Sequence, residues 1–362
     1  MLSEPEVNFF FRKKYCDFKK SCTFAASVPA KPLNNAQISG PFFFYFFMKS
    51  PYIKRFTCPK DLVSLLKNRG LIVFNEQEAE DYIKKIGYYR LSAYCYPLLK
   101  VPKVDHLYKS NASFDLVMSM YLFDKKLRLL LFDEIEKIEV AIRSAMSNMI
   151  TDEINSIFWI TDAGNFYDST LFSKTISLIQ AEIDKSKEEF ISHFRLKYSD
   201  PFPPVWMIVE VIPFGLLCGI YNNLNSAKLK KKVAKHFGLS SSVFSSWMIS
   251  LVNLRNLCGH HSRTWNREIP VIPAEPKSPV HPWINNTPTN MKRIYYRICM
   301  IKYLLFTVSP NNNFTEKLIS LLAEFPSIDI HAMGFPKNWH AEPLFNINSS
   351  MTPTTVRRLS LP

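Results

Sequence analysis

The residues best suited to chemistry lie in one short segment, residues 254–267, which reads Leu-Arg-Asn-Leu-Cys-Gly-His-His-Ser-Arg-Thr-Trp-Asn-Arg. This segment directly follows an apolar helical pattern, and it contains three arginines, two histidines and two asparagines. On a continuing helix, Asn256, His260 and Arg263 would lie at i, i+4 and i+7 and would share one face. The sequence therefore predicts a basic face with titratable groups at the end of a helix.

Such a group suits the cleavage of an RNA phosphodiester by its own 2′-hydroxyl. An imidazole titrates near neutral pH and can move the proton, while a guanidinium keeps its charge and offers a planar fork to phosphate. Arg255 precedes His260 by five residues, about 140° around a helix axis, but its long stem can reach the same groove. The alternative is an ordinary helix C-terminus whose cations interact favourably with the dipole. On these residues alone both interpretations stay open.

Helical patterns predict the elements that position this segment. The strongest covers residues 113–150, where apolar residues recur at three- and four-residue steps and predict a long central helix. We expect the polar residues Asp124 and Lys125 to lie off that apolar stripe. Further helices are predicted over residues 59–70, 75–86, 88–94, 168–198, 228–236, 241–258, 291–307 and 314–324. Because no convincing strand alternation and no internal repeat occur, the predicted fold class is all-α.

Two further segments allow more than one interpretation. The apolar residues 205–221 have borderline length for a membrane span but contain Glu210 and Pro213, so we favour one buried helix of a globular domain. The basic run between Lys228 and His236 is either a solvated face or a strip that contacts phosphates.

Composition narrows the partners. The 362 residues include 45 Lys and Arg against 31 Asp and Glu, for a net charge of +14. This excess favours a polyanionic partner, with RNA first, although an inert basic surface would have the same composition. Seven scattered cysteines without a CxxC pair exclude a disulfide framework and fit a reducing cytoplasm. Four of them have apolar neighbours and are predicted to lie in the core: Cys95, Cys218, Cys258 and Cys299.

Several enzyme classes lack their motifs. The sequence contains no phosphate-binding glycine loop, no HExxH, no GxSxG and no His/Asp cluster with metal spacing. We therefore predict neither a metal ion nor a cofactor. Three regions are predicted along the chain: a poorly patterned extension over residues 1–50, with a translation start at Met48 as one possibility, a helical domain over residues 51–345, and a polar tail over residues 346–362.

Residues 254–267 resemble the RN-x-CxHH-x-R-x-WNR signature of the Abi family of abortive-infection proteins (AbiD/AbiF type), a branch of the HEPN superfamily. Other elements resemble the same family in the same order along the chain. They are the GYYRLS of residues 87–92, the IE-x-x-x-R from Ile138 to Arg143, the P-x-W…E…FG from Pro204 to Gly215, and the MGFP-x-x-W from Met333 to Trp339.

This resemblance implies an all-α, HEPN-like helical bundle with additional N- and C-terminal helices, located in the cytoplasm of a bacterium. It implies a toxin of phage defence that cleaves RNA without metal through an R-x(4–6)-H motif. That motif maps onto Arg255 and His260, with His261 equally permitted by the spacing and Asn256 at the accompanying polar position. The resemblance also implies a homodimer whose two motifs face one cleft. Supporting or RNA-binding roles fall to His261, Arg263, Arg267, Glu139, Arg143 and Arg90.

Several alternatives remain at this point. The Glu139–Arg143 pair is either a surface salt bridge or a support that orients Arg255 or His260. Tyr88 and Tyr89 either pack in the core, which we favour, or stack on bases. The protein as a whole could be a non-catalytic RNA-binding module of a defence or toxin–antitoxin system, or a membrane-associated toxin. An antitoxin or a small RNA could regulate it; no membrane partner is expected.

Overall fold

A computed structural model describes residues 55–346, which form twelve α-helices and no β-strand, so the predicted all-α fold class is confirmed. The helices are α1 (Pro59–Asn68), α2 (Glu76–Ile86), α3 (Tyr88–Cys95), α4 (Phe114–Ile154), α5 (Ser169–Lys185), α6 (Glu189–Lys197), α7 (Val205–Val211), α8 (Phe214–Asn223), α9 (Ala227–His236), α10 (Ser241–Gly259), α11 (Ile294–Val308) and α12 (Phe314–Glu324).

Helix α4 is the axis of the fold. Its 41 residues span about 60 Å, and it packs against α3, α7, α9, α10, α11 and α12. Apolar residues such as Leu127, Ile135 and Ile142 are fully buried on it. Because helices surround α4, buried positions occur on more than one of its faces, and a single apolar stripe does not describe it. Asp124, which we expected off the stripe, is fully buried.

Side-chain caps explain where several helices begin. The N-cap residues Asn75, Ser113, Asp168, Ser226 and Ser240 each accept a hydrogen bond from the backbone amide three residues further on. These bonds satisfy amides that have no partner within the helix. The predicted starts at residues 75 and 113 are therefore confirmed, as is the break between α2 and α3 at Gly87, which has a φ of +89°.

The prediction of one apolar helix over residues 205–221 is wrong. The chain forms α7 and α8 instead, with Ile212 extended and Pro213 as the N-cap of α8. Proline lacks the amide that a continuing helix requires and disfavours the helical conformation of the residue before it. Within residues 55–346 no single helix has the length and apolarity of a membrane span; only the pair α9 and α10, bent by 67°, meets that criterion jointly, by length and composition.

The long segment between α10 and α11 is held by a buried arginine. Arg297 is fully buried on α11, and its guanidinium donates hydrogen bonds to four backbone carbonyls. Two of these carbonyls, those of Ile269 and Val271, belong to the segment that follows residues 254–267. Burial lowers the pKa of Arg297 to about 10. The segment is therefore irregular but firmly attached.

Other predictions have mixed outcomes. The cysteines predicted to lie in the core, Cys95, Cys218, Cys258 and Cys299, are all buried. Trp247 is fully buried, whereas Trp206 is 44% exposed. The predicted extension over residues 1–50 and, apart from Asn346, the predicted tail lie outside the described residues. The predicted domain boundaries stay predictions.

Candidate functional site

The helix that carries Arg255 ends one residue beyond the predicted range of 241–258 and does not continue to Arg263. Helix α10 stops at Gly259, His260 is its C-cap, and His261 has a φ of +55°. The amides of His261 and Ser262 donate to the carbonyls of Cys258 and Leu257, over 3.0 and 2.9 Å. This is a Schellman motif, in which a left-handed residue terminates the helix. The expectation that Asn256, His260 and Arg263 share one helical face is therefore wrong for Arg263.

Arg255 lies on the last turns of α10 with its side chain 45% exposed. Its Nε is 3.7 Å from Oε2 of Glu139, and its guanidinium carbon is 5.8 Å from the centre of the Phe132 ring. A carboxylate and an aromatic face both attract a guanidinium, and together they restrict its orientation. His260 is also exposed, as is His261. The site therefore presents a held cation and two imidazoles to solvent.

Glu139 connects two arginines. Its Oε1 is 2.5 Å from Nη2 of Arg143, and its Oε2 faces Arg255. Arg143 is buried and donates from Nη1 to the carbonyls of Val209 and Ile212, at the end of α7. A surface salt bridge would be exposed and would contribute little stability. The Glu139 side chain is instead 13% exposed, and its partner Arg143 is itself hydrogen-bonded to two backbone carbonyls. The geometry favours the interpretation that Glu139 orients Arg255.

The backbone turn that follows His260 is held by three arginines. Arg90 on α3 donates to the carbonyl of His261 over 2.6 Å, and Arg128 on α4 lies 3.4 Å from the carbonyl of Ser262. Arg263 donates in the opposite direction, to the carbonyl of Ala93 over 2.7 Å. Arg90 and Arg263, for which we predicted supporting or RNA-binding roles, thus each use one donor to hold the protein backbone. Burial is the main cause that lowers the pKa of Arg263.

Asp124 is the residue of this site that the sequence pattern missed. Its carboxylate is fully buried and accepts hydrogen bonds from the amides of Thr264 and Trp265, the Thr264 hydroxyl, the Tyr94 hydroxyl and Arg128. The position does fall four residues after Met120 and three before Leu127, which is the spacing of the buried stripe. That spacing is the signal that could have identified it.

The remaining predicted residues differ in their surroundings. Asn256 is half-buried, and its carbonyl accepts the amide of His260. Arg267 is half-buried with Nη1 at 3.5 Å from the carbonyl of Arg263. Tyr88 packs against the core as favoured, whereas Tyr89 is 94% exposed, so core packing is wrong for Tyr89.

The C-terminal MGFP-x-x-W element reaches the site through one arginine. Gly334 has a φ of +91° and packs directly on the side chain of Arg293. Arg293 in turn donates to the side chain of Asn266, over 2.9 Å. Met333 and Trp339 are buried, as core residues are. The GYYRLS and IE-x-x-x-R elements therefore contact residues 255–266 directly, and the MGFP-x-x-W element reaches them through Arg293. The P-x-W…E…FG element is connected to them through Arg143 and Glu139.

Other features of the described residues lie apart from this site. An open cavity of about 460 Å³ is lined by residues of α5, α6, α7 and the connection between α5 and α6, including Glu182, Lys187 and Glu210. No group of three His, Cys, Asp or Glu residues within 55–346 has the arrangement of a metal site. On the basic helix α9, Lys228 and Lys232 pair with Glu153 of α4, and Lys230 donates to the carbonyl of Asn222. Three of its lysines are thus engaged within the protein.

The comparisons with known proteins gave one match. A family model described as Abi-like protein matches residues 81–266, just over half of the chain. The matched range begins within α2 and ends at Asn266, so it includes α4 and the whole arginine–histidine segment up to that residue. Neither the comparison with curated proteins nor the comparison with solved structures found a match.

Proposed function

Because this chain belongs to the Abi-like protein family, we propose that it acts in abortive infection, a form of phage defence, as a metal-independent endoribonuclease of the HEPN type. Within the family we assign it to the AbiD/AbiF type. The observation that carries the proposal is the end of α10, where the exposed Arg255 is held by Glu139 and is followed by two exposed histidines. The proposal places the protein in the bacterial cytoplasm, with RNA as its substrate.

The reaction we propose uses the substrate's own 2′-hydroxyl as nucleophile. An imidazole accepts the 2′-hydroxyl proton while the 2′-oxygen attacks the adjacent phosphorus. Arg255 donates hydrogen bonds to the phosphorane oxygens, whose negative charge grows in the transition state. The bond to the 5′-oxygen then breaks, and that oxygen receives a proton from an imidazolium. The products are a 2′,3′-cyclic phosphate and a 5′-hydroxyl. Asn256 helps to position the imidazole.

His260 is the histidine that we assign to proton transfer. It is the C-cap of the same helix that carries Arg255, so the two residues share one rigid support. His261 instead adopts the left-handed conformation that ends the helix, and its carbonyl is bound by Arg90. The backbone role of His261 is thus sufficient to explain its position.

We further propose that two copies of the chain pair around a two-fold axis. Transesterification needs both a proton acceptor and a proton donor, and a two-fold pairing of the exposed ends of α10 would supply two imidazoles and two guanidinium groups. Glu139 and Phe132 restrict each Arg255 within its own chain, so each copy would contribute a prearranged half of the cleft. An antitoxin or a small RNA that covers this end of α10 would keep the enzyme silent.

Cleavage of labelled RNA in the presence of EDTA tests this function. We expect the wild type to cleave and both Arg255→Ala and His260→Ala to lose at least about 100-fold in rate. The chain offers matched controls. Arg195→Ala removes an arginine of similar exposure that also pairs with a carboxylate, and His236→Ala removes an exposed histidine at the end of α9. Both controls should cleave like the wild type.

Two outcomes would contradict the proposal. Equal cleavage by the wild type and both site variants would show that these residues are not catalytic, and cleavage only after metal addition would exclude the mechanism. RNA that stays intact but binds the wild type and both variants would instead identify a non-catalytic RNA-binding module.

A further inference from the structure

We propose that Asp124 is a positioning residue of the RNA-cleaving site, acting through the backbone of the turn that follows His260. This inference rests on the proposed function, because it names a further residue on which the reaction depends. Asp124 has no contact with Arg255 or His260 themselves. Its contacts are with Thr264, Trp265, Tyr94 and Arg128.

Several hydrogen bonds converge on the buried carboxylate of Asp124. The amides of Thr264 and Trp265 lie 3.1 and 2.7 Å from Oδ1, and the Thr264 hydroxyl lies 2.5 Å from the same atom. The Tyr94 hydroxyl donates to Oδ2 over 2.6 Å, and Nη1 of Arg128 is 2.5 Å from Oδ2. A buried carboxylate is tolerated only when it is paired and hydrogen-bonded. Three of the hydrogen bonds that Asp124 accepts come from two consecutive residues of the turn, Thr264 and Trp265.

The turn lies beyond the end of α10, so helical hydrogen bonds do not stabilise it. Beyond Gly259 the chain leaves the helix, and the Schellman bonds fix it only as far as Ser262. After Ser262, the next backbone amides that donate a hydrogen bond are those of Thr264 and Trp265, and both donate to Asp124. Thr264 is fully buried, so its hydroxyl has no access to water as a substitute partner. The path of the backbone after the two histidines therefore depends on Asp124 together with Arg90 and Arg128, which bind the carbonyls of His261 and Ser262.

Asp124 and Glu139 both lie on helix α4. Glu139 holds Arg255 before the end of α10, and Asp124 holds Thr264 beyond it. The two carboxylates are fifteen residues apart on α4, about 22 Å along a straight helix. Because one continuous helix carries both anchors, it sets the position of the arginine and of the turn that bears the histidines relative to each other. A displacement of about 1 Å in such a geometry can lower a rate by about 100-fold.

The test uses Thr264→Val, since Asp124→Ala would leave Arg128 buried without its partner and could prevent folding. Valine keeps the shape of threonine and both backbone amides but removes the hydroxyl bond to Asp124. Thr264→Ser restores that hydroxyl. Thr315→Val is the matched control, because Thr315 is also buried and its hydroxyl has no hydrogen-bond partner among the described residues. Each full-length variant is assayed for kcat and KM of RNA cleavage and for amide hydrogen exchange of residues 260–266.

We expect Thr264→Val to lower kcat by about tenfold or more with little change in KM, and to speed exchange at Thr264 and Trp265. Thr264→Ser should recover most of kcat, and Thr315→Val should leave both readouts unchanged. Wild-type cleavage with an unchanged kcat in Thr264→Val would overturn the positioning role alone. If the wild type does not cleave RNA, the proposed function fails and the positioning role fails with it. Exchange that is unaltered in Thr264→Val would show separately that the hydroxyl bond from Thr264 to Asp124 does not hold the turn.

Discussion

At the scale of single residues, the two adjacent histidines differ in backbone conformation: His261 is left-handed, whereas His260 is not. A residue with a side chain at a φ of +55° is strained by about 1–3 kcal/mol, and glycine is the usual residue at this position of a Schellman motif. The sequence alone allowed either histidine, because both satisfy the spacing from Arg255. The two histidines differ in backbone conformation, and our assignment of proton transfer to His260 is based on that difference. Residue spacing alone contains no such difference.

The corresponding prediction concerns His261→Gly. Glycine adopts the left-handed conformation without strain, so we expect the free energy of unfolding to rise by about 1 kcal/mol. Because our mechanism assigns proton transfer to His260, RNA cleavage by His261→Gly should stay within about threefold of the wild type. Urea unfolding and a cleavage assay on the same preparation measure both. A more stable protein that has lost cleavage would transfer the catalytic role to His261.

The residue scale also shows where sequence patterns are insufficient. Arg255 and His260 were identified by residue type and spacing and Glu139 by the family resemblance, and the structure brings Glu139 to Arg255. Asp124 was not identified as a residue of the site, because the sequence does not show which groups bind a carboxylate that lies in an apolar stripe. Those partners, Thr264 and Trp265, are about 140 residues away in the chain, and helical periodicity carries no information on contacts at such a separation.

At the scale of elements, the turn that contains Gly334 is joined to the site through Arg293 and Asn266. A Cβ at Gly334 would lie 2.7 Å from Cβ of Arg293, and its φ of +91° disfavours any side chain. At Gly259, the nearest atom to a new Cβ is Phe132 Cε2 at 3.7 Å, which is ordinary contact. The two glycines therefore have opposite tolerance for a methyl group.

We expect Gly334→Ala to lower the free energy of unfolding by about 2–4 kcal/mol through backbone strain and overlap. Gly259→Ala should raise it by about 0.4–1 kcal/mol, because alanine restricts the unfolded chain. Chemical denaturation of both variants beside the wild type measures the difference. Equal stability of the two variants would contradict the described packing of the C-terminal element on Arg293.

Helices α4 and α9 are tied by an ion-pair cluster that depends on pH. Hydrogen bonds from Lys228 and Lys232 lower the pKa of Glu153 to about 2, from its usual 4.5. A lowered acid pKa adds stability that is complete above about pH 4.5 and is lost as the pH falls towards 2.

The variant Glu153→Gln lacks this contribution. We therefore expect the wild type to be more stable than Glu153→Gln above pH 4.5, and the difference to disappear as the pH approaches 2. Urea unfolding at several pH values measures it. Glu136→Gln, at an exposed position of the same helix, is the control and should follow the wild type at every pH. A difference that stays constant down to pH 2 would contradict the pairing.

The elements themselves were largely predictable. Caps at Asn75 and Ser113 and the glycine at position 87 are local signals, and the helices they delimit were predicted within a few residues. The end of α10 was also predicted within one residue. The turn that follows it was not, because it is stabilised by Arg90, Arg128 and Asp124 from distant helices. Tertiary contacts there decide the local conformation.

At the scale of the whole molecule, helix α4 brings the separated family-like elements together. Glu139 and Arg143 lie on α4 itself, Arg90 of α3 reaches the carbonyl of His261, and Arg143 holds the end of α7. The net charge of +14 adds a general attraction for polyanions. Three lysines of α9 are engaged within the protein, and Arg255 and His260 are exposed at the end of α10.

Attraction of this kind depends on salt. Each phosphate contact to single-stranded nucleic acid contributes about 0.7 to the slope of log affinity against log salt concentration. Binding alone would show this dependence whether or not the site is catalytic. Affinity for RNA therefore cannot separate an enzyme from an RNA-binding module, and the chemistry of the product ends is needed.

The most direct test of the account is the identity of the ends produced from a labelled single-stranded RNA, with DNA of the same sequence in a parallel reaction, both in EDTA. The account predicts that the wild-type protein cuts only the RNA and leaves a 2′,3′-cyclic phosphate and a 5′-hydroxyl. Cleavage of the DNA as well, or RNA ends with a 5′-phosphate, would contradict attack by the 2′-hydroxyl at Arg255 and His260.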